Sequence, residues 1–245
     1  MSRYKATLEY FGKPFVGWQR QKNGFSVQQA LEEAIKSFCG QDVITYVAGR
    51  TDAGVHAFGQ VCHFEIEKKE TTETIRNAIN FHLKPNPITV LNVVKVDGTF
   101  HARFSAKERH YRYKIMNRVT PSAIYSDLSW WVPQPLDIDL MIAASKCLIG
   151  KHDFSTFRAA GCQAKTPIKT LNSITFWREG DEVVMETKAK SFLYHQVRNM
   201  AGTLKLVGEK KWTLADFSSA FKARTRVRGG ITAPACGLYF MKVDY

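Results

Sequence analysis

Residues 48–57 have the sequence Ala48-Gly49-Arg50-Thr51-Asp52-Ala53-Gly54-Val55-His56-Ala57. One carboxylate, Asp52, lies between two glycines, which tolerate backbone angles that other residues avoid and so allow a sharp bend. The apolar run Val43–Ala48 before it and the alternating run Phe58–Ile66 after it each predict a strand. We therefore expect Asp52 on a tight loop at strand ends, where a rigid scaffold often presents chemistry.

A second interpretation of the same ten residues is a surface turn. Aspartate is common in turns because its side chain hydrogen-bonds its own backbone. The spacing alone favours neither interpretation, so the rest of the chain has to decide between a turn residue and a catalytic carboxylate.

Charge is the first indication of function. The 245 residues include 35 Lys and Arg against 22 Asp and Glu, a net charge of +13. The excess is concentrated in Lys188–Arg228, with ten basic and two acidic residues, and in Arg103–Arg118, with six basic and one acidic. Aromatic residues are interleaved with these charges, and basic grooves with aromatic faces suit nucleic-acid backbone and bases. We interpret the chain as a nucleic-acid-binding protein rather than one with a merely solvated basic surface.

Composition also suggests the cellular location. The five cysteines are an odd number and form no C-x-x-C pair, which favours a reducing compartment over a disulfide framework or a zinc site. The N-terminus lacks an apolar signal core, and no run of about 18 apolar residues is present. We expect a cytoplasmic protein with no membrane association.

The first hundred residues predict the order β-α-β-β-α-β. The strands are Tyr4–Tyr10, Val43–Ala48, Phe58–Ile66 and Ile88–Val96. One helix begins at a capping box of Ser26 and Gln29 and ends at Gly40, and another is capped by Thr71 or Thr72 and stopped by Pro85. The loop Lys13–Gly24 carries Trp18 to Lys22, which we expect to be exposed and available to RNA.

The second half predicts the same order with one added helix. The predicted strands are Arg109–Asn117, the hairpin Ile168–Arg178 with Glu182–Lys188, and Leu238–Val243. The predicted helices are Asp137–Ile149, Phe192–Val207 and Thr213–Ala223, with Lys151–Thr166 as a loop.

These patterns predict an α+β fold. Its two ferredoxin-like β-α-β-β-α-β modules form a broad, mainly antiparallel sheet with flanking helices. The predicted modules are 1–105, which contains the Asp52 loop, and 106–245, which completes a cleft for the active site and RNA.

Several motifs carry a closer resemblance. The stretch Ala48–Ala57 resembles the active-site signature of the TruA family of tRNA pseudouridine synthases. Further stretches are similar to other motifs of that family: Tyr10–Gly12, Phe15–Gln19, Phe100–Ala106, Arg109–Tyr113, Ser191–Met200 and Ala233–Tyr239. These motifs run from one end of the chain to the other, and the two-module pattern agrees with the pseudouridine synthase fold.

The resemblance implies an isomerase that converts uridine to pseudouridine at positions 38, 39 and 40 of the tRNA anticodon stem-loop. It implies Asp52 as the catalytic nucleophile, Arg50 as a neighbouring basic residue and Tyr111 as the active-site tyrosine. It also implies a homodimer, no organic cofactor and no catalytic metal. We add Arg198 and Leu193, on the third motif, as substrate-binding residues, the latter as a pocket wall.

Alternatives remain open at this stage. Without the resemblance, Tyr111 could be an ordinary core residue and Arg198 could cap or pair structurally. His56 fits a structural loop role better than a catalytic one. A non-catalytic RNA-binding protein would account for the charge, although it has no need of the Arg50 and Asp52 loop. A metal-dependent nuclease would require clustered acids. For Asp52, attack on C6 of uracil, attack on C1′ and abstraction of the C2′ proton all remain possible.

Overall fold

The computed structural model describes all 245 residues, with ten strands and five α-helices. The chain forms two compact units, one of Met1–Arg109 with Tyr239–Tyr245 and the other of His110–Leu238. The predicted α+β class, with mainly antiparallel strands and flanking helices, is confirmed. None of the helices has both the length and the apolar composition that a bilayer span requires.

The first unit has the predicted β-α-β-β-α-β order. Its elements are β1 (Ser2–Tyr10), α1 (Val27–Cys39), β2 (Tyr46–Val47), β3 (His56–Ile66), α2 (Thr72–Leu83) and β4 (Ile88–Val96). Strand β5 (Glu108–Met116) begins in this unit, and most of the last strand, β10 (Leu238–Asp244), returns to it. The strand order is β4-β1-β3-β10, in which β10 pairs parallel to β3 and the others pair antiparallel.

Local sequence signals explain both helices of this unit. The Ser26 side chain accepts the Gln29 N–H at the start of α1, and Gly40 ends the helix with a left-handed φ of 75°. Thr71 caps α2 by accepting the Thr74 N–H. The apolar faces of the two helices pack against each other, and α2 also packs on β4. In β1 the buried residues alternate as the sequence predicts.

The second unit contains more strands than predicted. After β5 come β6 (Trp130–Trp131), α3 (Ile138–Ser145), β7 (Gly150–Asp153), β8 (Ile168–Glu179), β9 (Glu182–Ala189), α4 (Gln196–Gly208) and α5 (Leu214–Lys222). The strand order is β5-β9-β8-β7, with β6 parallel to β5. The predicted Thr213 and Asp216 capping box of α5 is confirmed.

Three predicted elements are wrong in extent. The strand Val43–Ala48 shrinks to β2, because the Thr45 N–H donates to the Glu32 carboxylate (2.9 Å) instead of joining a strand ladder. The helix Phe192–Val207 starts only at Gln196, because His195 has a φ of 60° that no α-helix accommodates.

The helix Asp137–Ile149 ends its α-helical part at Ser145 and continues as a single 3₁₀ turn. Asp137 caps it as predicted, since its side chain accepts the Leu140 N–H. Gly150, predicted as the helix end, is instead the first residue of β7. Most of β7 lies in the segment predicted as a loop, and the strand pairs antiparallel with β8.

Candidate active site

The loop that carries Asp52 connects β2 to β3 in the first unit. On the C-terminal side of Asp52, a turn is closed by the Val55 N–H, which donates to the backbone carbonyl oxygen of Asp52 (3.2 Å). Gly54, within this turn, has a left-handed φ of 77°. On its other side, Asp52 forms an isolated backbone bridge with Gly17, and the Trp18 N–H donates to the Thr51 oxygen (3.0 Å). The backbone on both sides of the carboxylate is therefore held by hydrogen bonds, while the Asp52 side chain is only half-buried.

Trp18 was predicted to be exposed, and this is wrong. Its relative exposure is 1%, because the loop Lys13–Gly24 folds beneath the Asp52 loop. The Gln28 N–H donates to the Trp18 backbone oxygen (2.9 Å), and the Trp18 indole lies beside the Tyr10 ring at a centroid distance of 6.1 Å. Trp18 is a structural support of the site rather than an RNA contact.

Close backbone approaches explain the glycines around the loop. A Cβ added at Gly12 would lie 2.0 Å from the Val55 oxygen, well inside the closest contact that real Cβ atoms make. Gly17 has a φ of 108°, and a Cβ there would lie 2.7 Å from the Thr51 oxygen. Only glycine lets these two segments approach the loop so closely.

A buried polar cluster fixes the residue next to Asp52. The Tyr10 hydroxyl lies 2.8 Å from Thr51 Oγ1, and Gln60 Nε2 donates to the Tyr10 oxygen (3.3 Å) and to the Gly49 oxygen (2.9 Å). Burial raises the pKa of Tyr10 to about 12, so the phenol keeps its proton at neutral pH. The cluster ties β1 and β3 to the loop without adding a charge beside Asp52.

Arg109 anchors the start of the loop. This buried guanidinium donates to the Ala48 oxygen from Nε (2.9 Å) and from Nη2 (2.6 Å), and Nη2 also donates to the Arg103 oxygen (2.7 Å). Hydrogen bonds from a charged donor are among the stronger ones in proteins. Arg109 therefore ties the residue that begins the loop to the segment that precedes β5.

His56 has the structural role that the sequence favours. Its Nδ1 accepts the Gly12 N–H (3.0 Å), and its ring stacks between those of Phe11 and Tyr239 at centroid distances of 5.0 and 4.9 Å. The ring is thus held on both faces at the point where the loop becomes β3.

The structure places the predicted site residues in two groups. Arg50, which is exposed, and the half-buried Asp52 share the loop of the first unit. The second unit holds Tyr111 on β5, Leu193 just before α4, and Arg198 in the first turn of α4.

The second group has its own supporting contacts. The buried Tyr111 ring meets the Phe192 ring edge-on at 5.1 Å, beside the buried Leu193. Arg198 Nε donates to the Ala233 oxygen (2.8 Å), and the Ala233 N–H donates back to the Arg198 oxygen (3.2 Å). Arg198 therefore has a structural function whatever else it binds.

Sequence reasoning missed the supporting residues Tyr10, Gln60 and Arg109. The alternating pattern of β1 predicts Tyr10 as an ordinary core residue, and nothing local shows that its hydroxyl reaches the loop 41 residues later. Only the resemblance of the motifs around Tyr10 and Arg109 marked these segments.

The positive charge is uneven between the units. The second unit holds 19 Lys and Arg against 10 Asp and Glu, a net charge of +9, whereas the first holds 16 against 12. In the basic segment Arg103–Arg118, three residues form ion pairs with the β9 hairpin: Arg112 with Glu186 (2.6 Å), Lys114 with Glu182 (2.8 Å) and Arg118 with Asp181 (3.0 Å). Half of the six basic side chains of that segment are therefore neutralised by ion pairs within the second unit.

Comparisons with known proteins identify the family of the chain. The family model described as tRNA pseudouridine synthase matches residues 6–105 and 144–245. Over all 245 residues the chain is 54% identical to tRNA pseudouridine synthase A of Rhodospirillum centenum, covering 100% of both chains. It is 51% identical to the protein of the same name from Paramagnetospirillum magneticum, covering 96% of that chain. A solved structure, "Crystal Structure of a Cbf5-Nop10-Gar1 Complex", matches 82% of this chain and 45% of its own at 12% identity and a TM-score of 0.39.

Proposed function

Because this chain belongs to the tRNA pseudouridine synthase family, we propose that its Asp52 is the residue that acts on the target uridine. The protein is an isomerase that converts uridine to pseudouridine in tRNA. The observation that supports the role of Asp52 is a half-buried carboxylate on a loop whose backbone is fixed on both sides by Trp18, Val55 and Gly17.

The reaction explains why one carboxylate suffices. The bond from C1′ of the ribose to N1 of uracil breaks, and a bond from C1′ to C5 forms. C5 loses its proton to water and N1 takes one up, so the composition of the nucleoside is unchanged and no redox equivalent is needed. A carboxylate can serve by attacking carbon or by stabilising a positive sugar centre, as in glycoside cleavage. Attack on C6, attack on C1′ and removal of the C2′ proton are all compatible with Asp52.

The substrate-binding roles are proposals on the same basis. A uridine paired in a stem must leave the stack before it reacts, at a cost of a few kcal/mol. We propose that Tyr111 positions the extruded base and that Leu193 forms an apolar wall. We propose further that Arg50 binds phosphate or orients Asp52, and that Arg198 contacts the substrate. The Phe192 ring against Tyr111 supports a fixed orientation of the phenol.

The finer substrate preference also remains a proposal. We propose uridines 38, 39 and 40 of the anticodon stem-loop as targets and the cytoplasm as the place of action. The targets rest on the resemblance of the motifs, and the cytoplasm rests on the cysteine content, which favours a reducing compartment.

We propose in addition that the protein acts as a homodimer. Static light scattering at low concentration should then give twice the chain mass of 27.8 kDa. A mass of one chain at the concentration used for activity would contradict the proposal.

The isomerisation itself is tested by tritium release. We expect the protein to release tritium into water from a tRNA transcript labelled at C5 of uridine, since formation of the C1′–C5 bond expels that hydrogen. EDTA is present throughout, because the proposed chemistry requires no metal and a metal-dependent nuclease would be inactive. Absence of release from a folded protein would overturn the function, and tight tRNA binding without release would favour the RNA-binding alternative.

A further inference from the structure

We propose that an exposed aromatic surface of the first unit, formed by Tyr46, His101, Arg103 and Phe104, binds an unpaired nucleobase of the RNA substrate. These residues lie outside the Asp52 loop. The inference rests on the proposed function only in taking tRNA as the ligand.

The surface is one side of a series of four rings, which we call the ring ladder: Tyr46, His63, His101 and Phe104. Tyr46 stacks on His63 at a centroid distance of 4.9 Å and an interplanar angle of 16°. His63 meets His101 at 4.7 Å, and His101 meets Phe104 at 4.4 Å. The ladder is buried in the middle and open at its ends, since Tyr46 is 47% exposed and Phe104 is 75% exposed.

Hydrogen bonds to the backbone fix the ladder. His63 Nδ1 accepts the Ala102 N–H (3.1 Å), and His101 Nδ1 accepts the Arg103 N–H (3.1 Å). The turn is closed by Ser105, whose Oγ accepts the His101 N–H (3.0 Å) and whose own N–H donates to the His101 oxygen (2.9 Å). Phe104 is thus presented to solvent from a defined turn, so a partner that binds there pays little ordering cost.

The ladder carries little positive charge of its own at neutral pH. Burial lowers the pKa of His63 to about 4, with the neighbouring His101 and Arg3 acting in the same direction. Burial, followed by Arg3, also lowers the pKa of His101. With both imidazoles neutral the ring ladder is aromatic and uncharged, which suits a planar uncharged ligand.

Positive charge borders the ladder at its exposed end. The guanidinium carbon of Arg103 lies 5.7 Å from the centre of the Phe104 ring. An exposed aromatic ring beside an arginine can stack a base and attract the adjoining phosphate at the same time. The net charge of +13 makes a polyanion the complementary partner, and unstacked bases of RNA loops are commonly bound on aromatic side chains.

The Phe104→Ala variant tests the stack. We expect its Kd for unmodified tRNA to rise by about 5- to 150-fold, the range that corresponds to loss of one base–aromatic stack. Phe104→Trp should bind within about twofold of wild type, because it keeps an aromatic face. The matched control is Phe81→Ala, which removes an equally large ring, 70% exposed on α2 of the same unit, and should leave Kd unchanged.

Salt dependence separates stacking from charge. Phe104→Ala should leave the slope of log K against log salt unchanged, whereas Arg103→Ala should reduce it by about one, because it removes the charge that attracts the adjoining phosphate. Equal Kd values for Phe104→Ala and Phe81→Ala would overturn the inference. So would loss of self-association in Phe104→Ala by light scattering, since the surface would then serve protein contact.

The two proposals fail in different ways. If wild type releases no tritium, the proposed function fails, while the comparison of Phe104→Ala with Phe81→Ala still decides the base site. If wild type is active and the two variants bind alike, only the base site fails.

Discussion

The Asp52→Asn variant should release tritium from C5-labelled tRNA at least about 10³-fold more slowly than wild type in single-turnover conditions. Asparagine has nearly the shape of aspartate, so the backbone bonds from Val55 and Trp18 that fix the loop should persist. What is lost is the negative charge and with it the ability to attack carbon, to remove a proton or to stabilise a cationic sugar. All three open routes therefore predict the same loss.

Binding separates this effect from misfolding. The Kd of Asp52→Asn for tRNA should stay within about threefold of wild type, because the phosphate contacts that dominate affinity do not involve the carboxylate. The matched control is Asp42→Asn, which removes an exposed carboxylate of the same unit that pairs with Lys36 (2.8 Å). A rate for Asp52→Asn near that of Asp42→Asn would remove Asp52 from the mechanism and return the loop to the turn interpretation.

The elements that the sequence predicts correctly depend on interactions between residues close together in the chain, and those that it predicts wrongly depend on distant ones. The caps at Ser26, Gly40 and Thr213 were predicted because capping is settled within four residues of the helix end. The strand Val43–Ala48 failed because its backbone donor at Thr45 bonds Glu32, 13 residues earlier.

The site shows the same division. The presence of Arg50 and Asp52 on the same loop was predicted from ten consecutive residues. The parts that hold this loop, Tyr10 and Arg109, act across 41 and 61 residues, and no periodicity encodes such contacts. The early start predicted for α4 failed for a different reason, since the left-handed φ of His195 is uncommon in a non-glycine residue and carries no sequence signal.

The support of the loop by glycine can be tested independently of its chemistry. We expect Gly12→Ala to destabilise the protein by about 3 kcal/mol, the upper part of the range for overpacking a filled site. For a chain of this size that loss corresponds to a fall in Tm of about 6–12 °C by calorimetry. The cause is the added methyl group, which would lie 2.0 Å from the Val55 oxygen and force the two backbones apart.

Gly98→Ala provides the matched control, because it makes the same change where a Cβ meets nothing within 4 Å. Its Tm should stay close to that of wild type, so the difference between the two variants isolates the collision. Equal Tm values would contradict the prediction, because they would show that the backbone at Val55 moves aside with no loss of stability.

The displacement should also reach catalysis. The Gly12 N–H donates to His56 Nδ1, and the Val55 N–H donates to the backbone carbonyl oxygen of Asp52. A displacement of Gly12 should therefore also displace Val55 and His56, and with them the backbone of Asp52. Assayed well below its Tm, Gly12→Ala should therefore lose rate at saturating tRNA, by about 10²-fold for a displacement of about 1 Å, while its Kd changes little. A variant that is destabilised but reacts at the wild-type rate would show that the geometry of Asp52 does not depend on this approach. Loss of both rate and stability would show that the fold fixes the position of the carboxylate through the absence of a side chain at residue 12.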